Sequence, residues 1–99
     1  SLIEIHNNSG ADITEILVKI ADCESDGQQF EIDGTVKRGI INPHDIGKWQ
    51  INEIHWQTEA RRLGWDIYTL EGNTQMALYI YKNYGTKHWS WSEECWFKN

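Results

Sequence analysis

Glu24 is the acidic residue whose position best suits proton-transfer chemistry. It lies at the end of a segment, residues 12–25, that is predicted to form a helix. The apolar positions of this segment recur at steps of three and four residues and so form one face, made of Ile13, Ile16, Leu17, Ile20 and Ala21. A carboxyl on the last turn of a buried helix is desolvated and lies near the negative end of the helix dipole, and both effects raise its pKa. Such a group can act as a general acid near neutral pH, whereas an exposed carboxylate at the helix end is the alternative.

Other side chains could assist Glu24. Of the three aspartates that next follow Glu24 along the chain, Asp26 is explained by exposure after the helix and Asp33 by a turn, so Asp45 is the candidate for a second carboxylate. Ser25 suits a role in fixing the backbone or orienting Glu24, because no His or Asp follows at the spacing of a nucleophilic triad. The histidines show no metal-ligand spacing, and we expect neither a metal nor a cofactor; they are His6, His44, His55 and His88.

Aromatic residues are frequent, with six Trp and four Tyr in 99 residues. A small core accommodates two or three tryptophans, and the others are candidates for a platform that stacks on flat ligand faces such as sugar rings. Trp49 and Trp89 are the candidate cleft walls, and core packing is the alternative for each. Tyr81 or Tyr79 could serve in the same way from a later helix.

Charge and length exclude several classes of protein. The formal charge of −6 repels phosphate backbones and anionic membranes, so we expect no nucleic-acid partner. Apolar runs such as Ile16-Leu17-Val18 are far shorter than the roughly 20 residues of a membrane helix. The length suits one domain, and the start at Ser1 without Met suggests a mature or excised piece.

The remaining elements follow from turn and cap signals. Residues 28–39 alternate around Asp33-Gly34 and predict a small β-hairpin. A second helix is predicted over 52–63, stopped by Gly64, and a third from the cap Thr69 to Tyr84, ended by Gly85. Ser90 has capping-box spacing for a short last helix. The predicted class is α+β, mostly α, with the hairpin after the first helix and residues 1–11 as an arm.

Two cysteines, Cys23 and Cys95, lie near opposite ends of the chain without a CxxC motif. A single disulfide is the natural inference. By lowering the conformational entropy of the unfolded chain, it would stabilise the folded state by about 4 kcal/mol. It would also point to an exported protein. The alternative is a pair of unrelated buried thiols in a cytosolic protein.

An ordered set of motifs resembles the lysozyme-like superfamily, and most of all its lytic transglycosylases. The set consists of Cys23-Glu24-Ser25 at a helix end, a hairpin, Gly47-Lys48-Trp49-Gln50-Ile51 and the helix start Gly72-Asn73. Resuscitation-promoting factor domains are similar too, since they carry a Cys before the Glu that is tied to a Cys near the chain end. The resemblance covers about residues 12–96.

The resemblance implies a lysozyme-like fold over residues 12–99 that cleaves the MurNAc–GlcNAc β-1,4 linkage of peptidoglycan. It implies that Glu24 acts as acid and then as base, without a cofactor. The substrate would supply its own nucleophile unless a second carboxylate lies opposite Glu24. The residues expected to contact the glycan strand are Ser25, Trp49, Gln50, Asn73, Tyr81 and Trp89. The protein would be secreted, periplasmic or at the cell surface.

Some features depart from the family pattern. The motif Ala-Tyr-Asn-x-Gly is absent, Ile80 stands where a Tyr is usual, and Lys48-Trp49 replaces two apolar residues. The charge of −6 would slow encounter with an anionic cell wall. These features favour an alternative, a carbohydrate-binding or protein-interaction module that keeps the fold without turnover.

Overall fold

The computed structural model of the chain describes residues 11–97, in which helices predominate. The elements in chain order are α1 (Ala11–Ser25), β1 (Asp45–Ile46), β2 (Ile51–Asn52), α2 (Glu53–Arg62), α3 (Leu70–Tyr84), a 3-10 helix (Lys87–Ser92) and α4 (Glu93–Phe97). The two strands pair antiparallel, with Asp45 opposite Asn52. The predicted class, mostly α with a small antiparallel β element, is confirmed. Of the predicted arm, residues 1–10 lie outside the described part, and Ala11 already belongs to α1.

Helix α1 buries the described part of the apolar stripe that its spacing predicts, and the side chain of Ile13 lies outside the described residues. Leu17, Ile20 and Ala21 are at most 3% exposed, whereas Val18 on another face is 48% exposed. The stripe packs into a core to which every other element contributes, through Ile46, Trp49, Ile51, Ala60, Ile67, Met76, Ala77, Ile80, Trp89 and Trp96. Because α1 is held along this stripe, its C-terminal turn has a fixed position relative to the rest of the molecule.

The predicted hairpin at 28–39 is reduced to one antiparallel bridge, between Phe30 and Val36. The chain does turn at Asp33-Gly34, where Gly34 has a φ of 92°. Ile32 is fully exposed, so no core lies beneath this turn to support a longer ladder. The paired strands β1 and β2 instead follow the loop, where Ile46 is completely buried.

The helix ends agree with the cap signals. Asn52 caps α2 by accepting a hydrogen bond from a backbone amide, and Thr69 caps α3 in the same way. Gly85, with a φ of 72°, ends α3. The last helix differs from the prediction, because Ser90 lies inside the 3-10 helix and α4 begins only after Ser92.

Cys23 and Cys95 form a disulfide, with their Cα atoms 6.0 Å apart. The predicted pairing is confirmed, and the alternative of two free thiols is wrong. The bond joins the last turn of α1 to α4 and so holds the C-terminal segment beside Glu24. Among the described helices, none has the length and apolar character needed to cross a membrane.

Gly72 permits a close approach between α3 and the loop before it. A Cβ built at this position would lie 1.9 Å from the carbonyl oxygen of Asp66. Gly72→Ala should therefore displace the start of α3 and lower the free energy of unfolding by about 2–3 kcal/mol. Urea unfolding should show a larger loss than for Gly64→Ala, where nothing lies within 4 Å and only the φ of 87° is unfavourable.

Candidate active site

Glu24 lies in the wall of an open cleft of about 330 Å³. The last turn of α1 presents it there, one residue after the disulfide. The other walls come from the strands, α2 and the C-terminal segment, through Asp45, Gln50, Asn52, His55, His88, Trp89 and Trp91. The cleft therefore gathers acidic, amide, imidazole and aromatic groups around one carboxyl.

The environment of Glu24 favours its protonated form. Burial raises its pKa from 4.5 to about 7, and the charge of Asp45 acts in the same direction. A hydrogen bond of 2.5 Å from Ser92 Oγ to Glu24 Oε2 opposes these effects. Near neutral pH a large fraction of the protein thus carries a proton on Glu24, as a general acid requires.

Asp45 is the second carboxylate of the cleft. It is half-buried on β1 and accepts a hydrogen bond from Asn52 Nδ2 over 3.0 Å. Asp26 and Asp33 are exposed and do not line the cleft. Of these three aspartates, only the candidate second carboxylate, Asp45, lines the cleft with Glu24.

Gln50 and His88 form a hydrogen-bonded pair in the wall of the cleft. Gln50 is 7% exposed, has a φ of 52° and donates from Nε2 to the carbonyl oxygen of Gly47 over 3.0 Å. His88 Nδ1 lies 3.3 Å from Trp56 Nε1, which can only donate, so the proton of a neutral His88 is on Nε2. Nε2 then donates to the carbonyl oxygen of Gln50 over 3.2 Å. Burial lowers the pKa of His88, so the ring favours its neutral form.

Ser25 stabilises the backbone beneath the cleft and does not line it. Its Oγ donates to the carbonyl oxygen of Lys48 over 2.7 Å and accepts from the amide of Gln28 over 3.1 Å. The hydroxyl is buried, with an overall residue exposure of 3%. These bonds fit the expected role of Ser25 in fixing the backbone beside Glu24.

Trp49 and Asn73 also lie in the core, behind the cleft wall. Trp49 Nε1 donates to the carbonyl oxygen of Leu17 over 2.7 Å. Asn73 accepts from the amide of Trp49 over 3.0 Å and donates to the carbonyl oxygens of Ile46 and Ile67. Neither side chain lines the cleft. Their polar groups hold the loop that presents Gln50.

The aromatic walls only partly match the candidates chosen from the sequence. Trp89 lines the cleft but is 1% exposed, and its Nε1 donates to the carbonyl oxygen of Trp49. Tyr81 is half-buried against the core and does not line the cleft. Trp91, which was not chosen, is 67% exposed at the cleft edge and offers the larger stacking surface.

The cleft continues on both sides of Glu24. Towards residues 31–42, a depression of about 440 Å³ shares Glu24 and Trp91 with the cleft. Towards α2, a depression of about 620 Å³ shares His55 and His88 and adds aromatic residues of α2 and α3. Because each shares lining residues with the cleft, the three depressions adjoin one another and are together called the groove; Glu24 lines two of them.

Ser92 is the contact of Glu24 that sequence reasoning missed. It precedes Cys95 by one helical turn, and Glu24 follows Cys23 directly. A disulfide between those cysteines brings residues 24 and 92 together, and this was the signal available in the sequence. Residues 15–97, whose side chains are described, contain no cluster of three or more potential metal ligands.

A scan against models of known protein families finds no match, and searches of the curated proteins and of the solved structures find none either.

Proposed function

We propose that this protein is a lysozyme-like enzyme that cleaves the MurNAc–GlcNAc β-1,4 linkage of peptidoglycan, as a lytic transglycosylase or a muramidase. Glu24 is the single acid–base group, and the glycan strand is the substrate. The observation that carries the proposal is the half-buried Glu24 carboxyl, whose pKa is raised to about 7, in the wall of a groove.

The chemistry begins with proton transfer from Glu24 to the oxygen of the glycosidic bond. As the bond to C1 breaks, positive charge develops on the ring, and the 2-acetamido oxygen of the substrate stabilises it. Glu24, now a carboxylate, accepts the proton of the 6-hydroxyl, and that oxygen closes an anhydro ring on C1. Alternatively, Glu24 activates water, with Asp45 stabilising C1, and the product carries a reducing end.

The shape of the groove supports a polymeric substrate. The depressions continue on both sides of Glu24, so sugar residues could extend in either direction from the cleaved bond. Trp91 offers an exposed ring face beside Glu24, and Gln50 offers an amide. Aromatic faces with a few placed polar groups are typical of carbohydrate sites.

Mass spectrometry of the fragments released from purified peptidoglycan tests this proposal. We expect the parent protein to release anhydro-ended fragments, which are lighter by one water than reducing-ended ones. Asp45→Asn should leave these products unchanged if the substrate supplies the nucleophile, whereas a hydrolase that depends on Asp45 should lose its reducing-ended products. No release of either product by the parent protein would refute the enzymatic proposal.

A second candidate function is glycan binding without turnover. The exposed ring of Trp91 at the cleft edge favours it, because a stacking surface binds sugar rings whether or not a bond is then cleaved. Quenching of tryptophan fluorescence by soluble glycan fragments, without any product release, would support this binding module.

A further inference from the structure

The hydroxyl of Ser92 lies among groups that compete for its one hydrogen. Its Oγ is 2.5 Å from Glu24 Oε2 and 3.2 Å from the carbonyl oxygen of Trp89. Trp96 Nε1 can only donate, and it lies 3.1 Å from Ser92 Oγ and 3.4 Å from the carbonyl oxygen of Trp89. Its hydrogen is closer to Ser92 and so occupies one of the two lone pairs of the hydroxyl, while the Trp89 carbonyl keeps a lone pair for Ser92. The hydroxyl hydrogen of Ser92 can point fully at Glu24 or at Trp89, but not at both.

We propose that Ser92 is a positioning residue that serves both protonation states of Glu24 by rotating its hydroxyl hydrogen between Glu24 and the carbonyl oxygen of Trp89. When Glu24 is ionised, Ser92 donates to it. When Glu24 is protonated, its O–H donates to the free lone pair of Ser92, and Ser92 donates to Trp89. The hydroxyl keeps its own proton throughout, and only hydrogen bonds change.

This inference rests on the proposed role of Glu24 as acid and then base. A carboxyl that changes protonation state within one catalytic cycle needs a neighbour that accepts from one state and donates to the other. A fixed donor such as a backbone amide would stabilise only the ionised state. The Ser92 hydroxyl can satisfy both states without moving its oxygen, which is held by the buried Trp96.

Other charged groups face Glu24 from the surrounding elements. Asp45 on β1 faces it directly, and the cleft also contains the rings of His55 and His88. Charged residues of the adjoining depression are Glu31, Lys37 and Arg38. The Ser92 hydrogen bond lowers the pKa of Glu24 against burial and Asp45, which both raise it. Loss of the hydroxyl leaves the raising effects unopposed.

Carbon-13 NMR of the unaltered protein tests the rotation directly. As Glu24 titrates, the carbonyl carbon of Trp89 should shift with the same midpoint, because its hydrogen bond from Ser92 forms only when Glu24 is protonated. The carbonyl of Trp49, which accepts from Trp89 Nε1, serves as a control that should not follow this midpoint. A Trp89 carbonyl that does not titrate with Glu24 would overturn the proposal.

Substitution provides an independent measurement. Ser92→Ala removes a hydrogen-bond partner from both states of Glu24, but the bond to the charged carboxylate is the stronger of the two. The pKa of Glu24 should therefore rise by at most about one pH unit, and the pH–rate profile of cleavage should move in the same direction. Ser92→Thr, which keeps a hydroxyl, should stay near the parent pKa, and so should Ser90→Ala on the same 3-10 helix. A Trp89 carbonyl that still titrates with Glu24 in folded Ser92→Ala would contradict the inference, because that response should pass through the Ser92 hydroxyl.

The NMR titrations need no enzymatic activity, so the two proposals can fail separately. A Trp89 carbonyl that titrates with Glu24 in a protein that releases no fragments would support the hydroxyl rotation and refute cleavage. Fragment release without that titration would support cleavage and overturn the role of Ser92.

Discussion

Glu24→Gln should lower the rate of fragment release from purified peptidoglycan by at least about 10²-fold, the lower range for loss of an acid–base group. The amide has nearly the shape of the carboxyl and keeps an oxygen that can accept from Ser92, but it cannot give up a proton to the leaving sugar oxygen. A loss of rate with the fold intact would therefore report on chemistry.

Glu71→Gln is the matched control for this experiment. Glu71 is exposed in the first turn of α3 and does not line the groove, so its variant should keep the parent rate. Equal rates for Glu24→Gln and the parent would remove Glu24 from the mechanism and leave the glycan-binding module as the better explanation.

Glu24→Gln should also change how the free energy of unfolding depends on pH. The pKa of Glu24 is about 7 in the folded protein, against 4.5 for an unperturbed glutamate carboxyl. Because the folded pKa is raised, the stabilising contribution is full below the unfolded pKa and is lost as pH rises through the folded one. At a pH above the folded pKa, the parent protein holds a half-buried negative charge at Glu24, which the Gln variant lacks.

In urea unfolding, the parent and Glu24→Gln should thus have similar free energies of unfolding at about pH 4. At about pH 8 the variant should be the more stable of the two. The difference at the higher pH should be about 1–2 kcal/mol, since solvent screens part of the linkage energy of a half-buried group. A variant that gains stability while losing activity would show that the cleft maintains an unfavourable charge for its chemistry.

The helices could be predicted from the sequence because their signals are local. The apolar stripe of α1 and the caps Thr69 and Gly85 each depend on residues within a few positions, and the structure places them as expected. The raised pKa of Glu24 followed from its position at the end of a buried helix. The hairpin at 28–39 was only partly predictable, because its turn is local but a ladder needs a core beneath it.

The partners of Glu24 were only partly predictable, because they depend on contacts across the chain: Asp45 was a candidate, whereas Ser92 could be reached only through the disulfide. Ser92 is 68 residues away from Glu24. Trp91 is one of six tryptophans, and nothing in the sequence marks it as the one that lines the cleft with an exposed ring. Asn73 illustrates a different limit. A polar residue in a family motif predicts a ligand contact, yet Asn73 is completely buried and binds backbone groups. Sequence alone does not separate a polar group that binds substrate from one that supports a loop.

Removal of the disulfide should have the largest effect on stability. The double substitution Cys23→Ser and Cys95→Ser opens a loop with a sequence separation of 72 residues. On the chain-entropy model this costs about 4 kcal/mol, a large share of the ~5–15 kcal/mol that stabilises a small domain. The midpoint of urea unfolding should fall sharply, and the unaltered protein treated with a phosphine reductant should show a similar fall.

The disulfide should matter for the site as well as for the fold, because it joins the residue before Glu24 to the helix that follows Ser92. At urea concentrations below the unfolding transition of the double variant, the C-terminal segment is no longer tied to α1. The distance between Glu24 and Ser92 should then increase, and Trp91 should be displaced. Fragment release should then fall more than the folded fraction does, and the Glu24 pKa measured by NMR should move from the parent value. A folded double variant with the parent rate and pKa would show that core packing of Trp89 and Trp96 alone holds this wall in place.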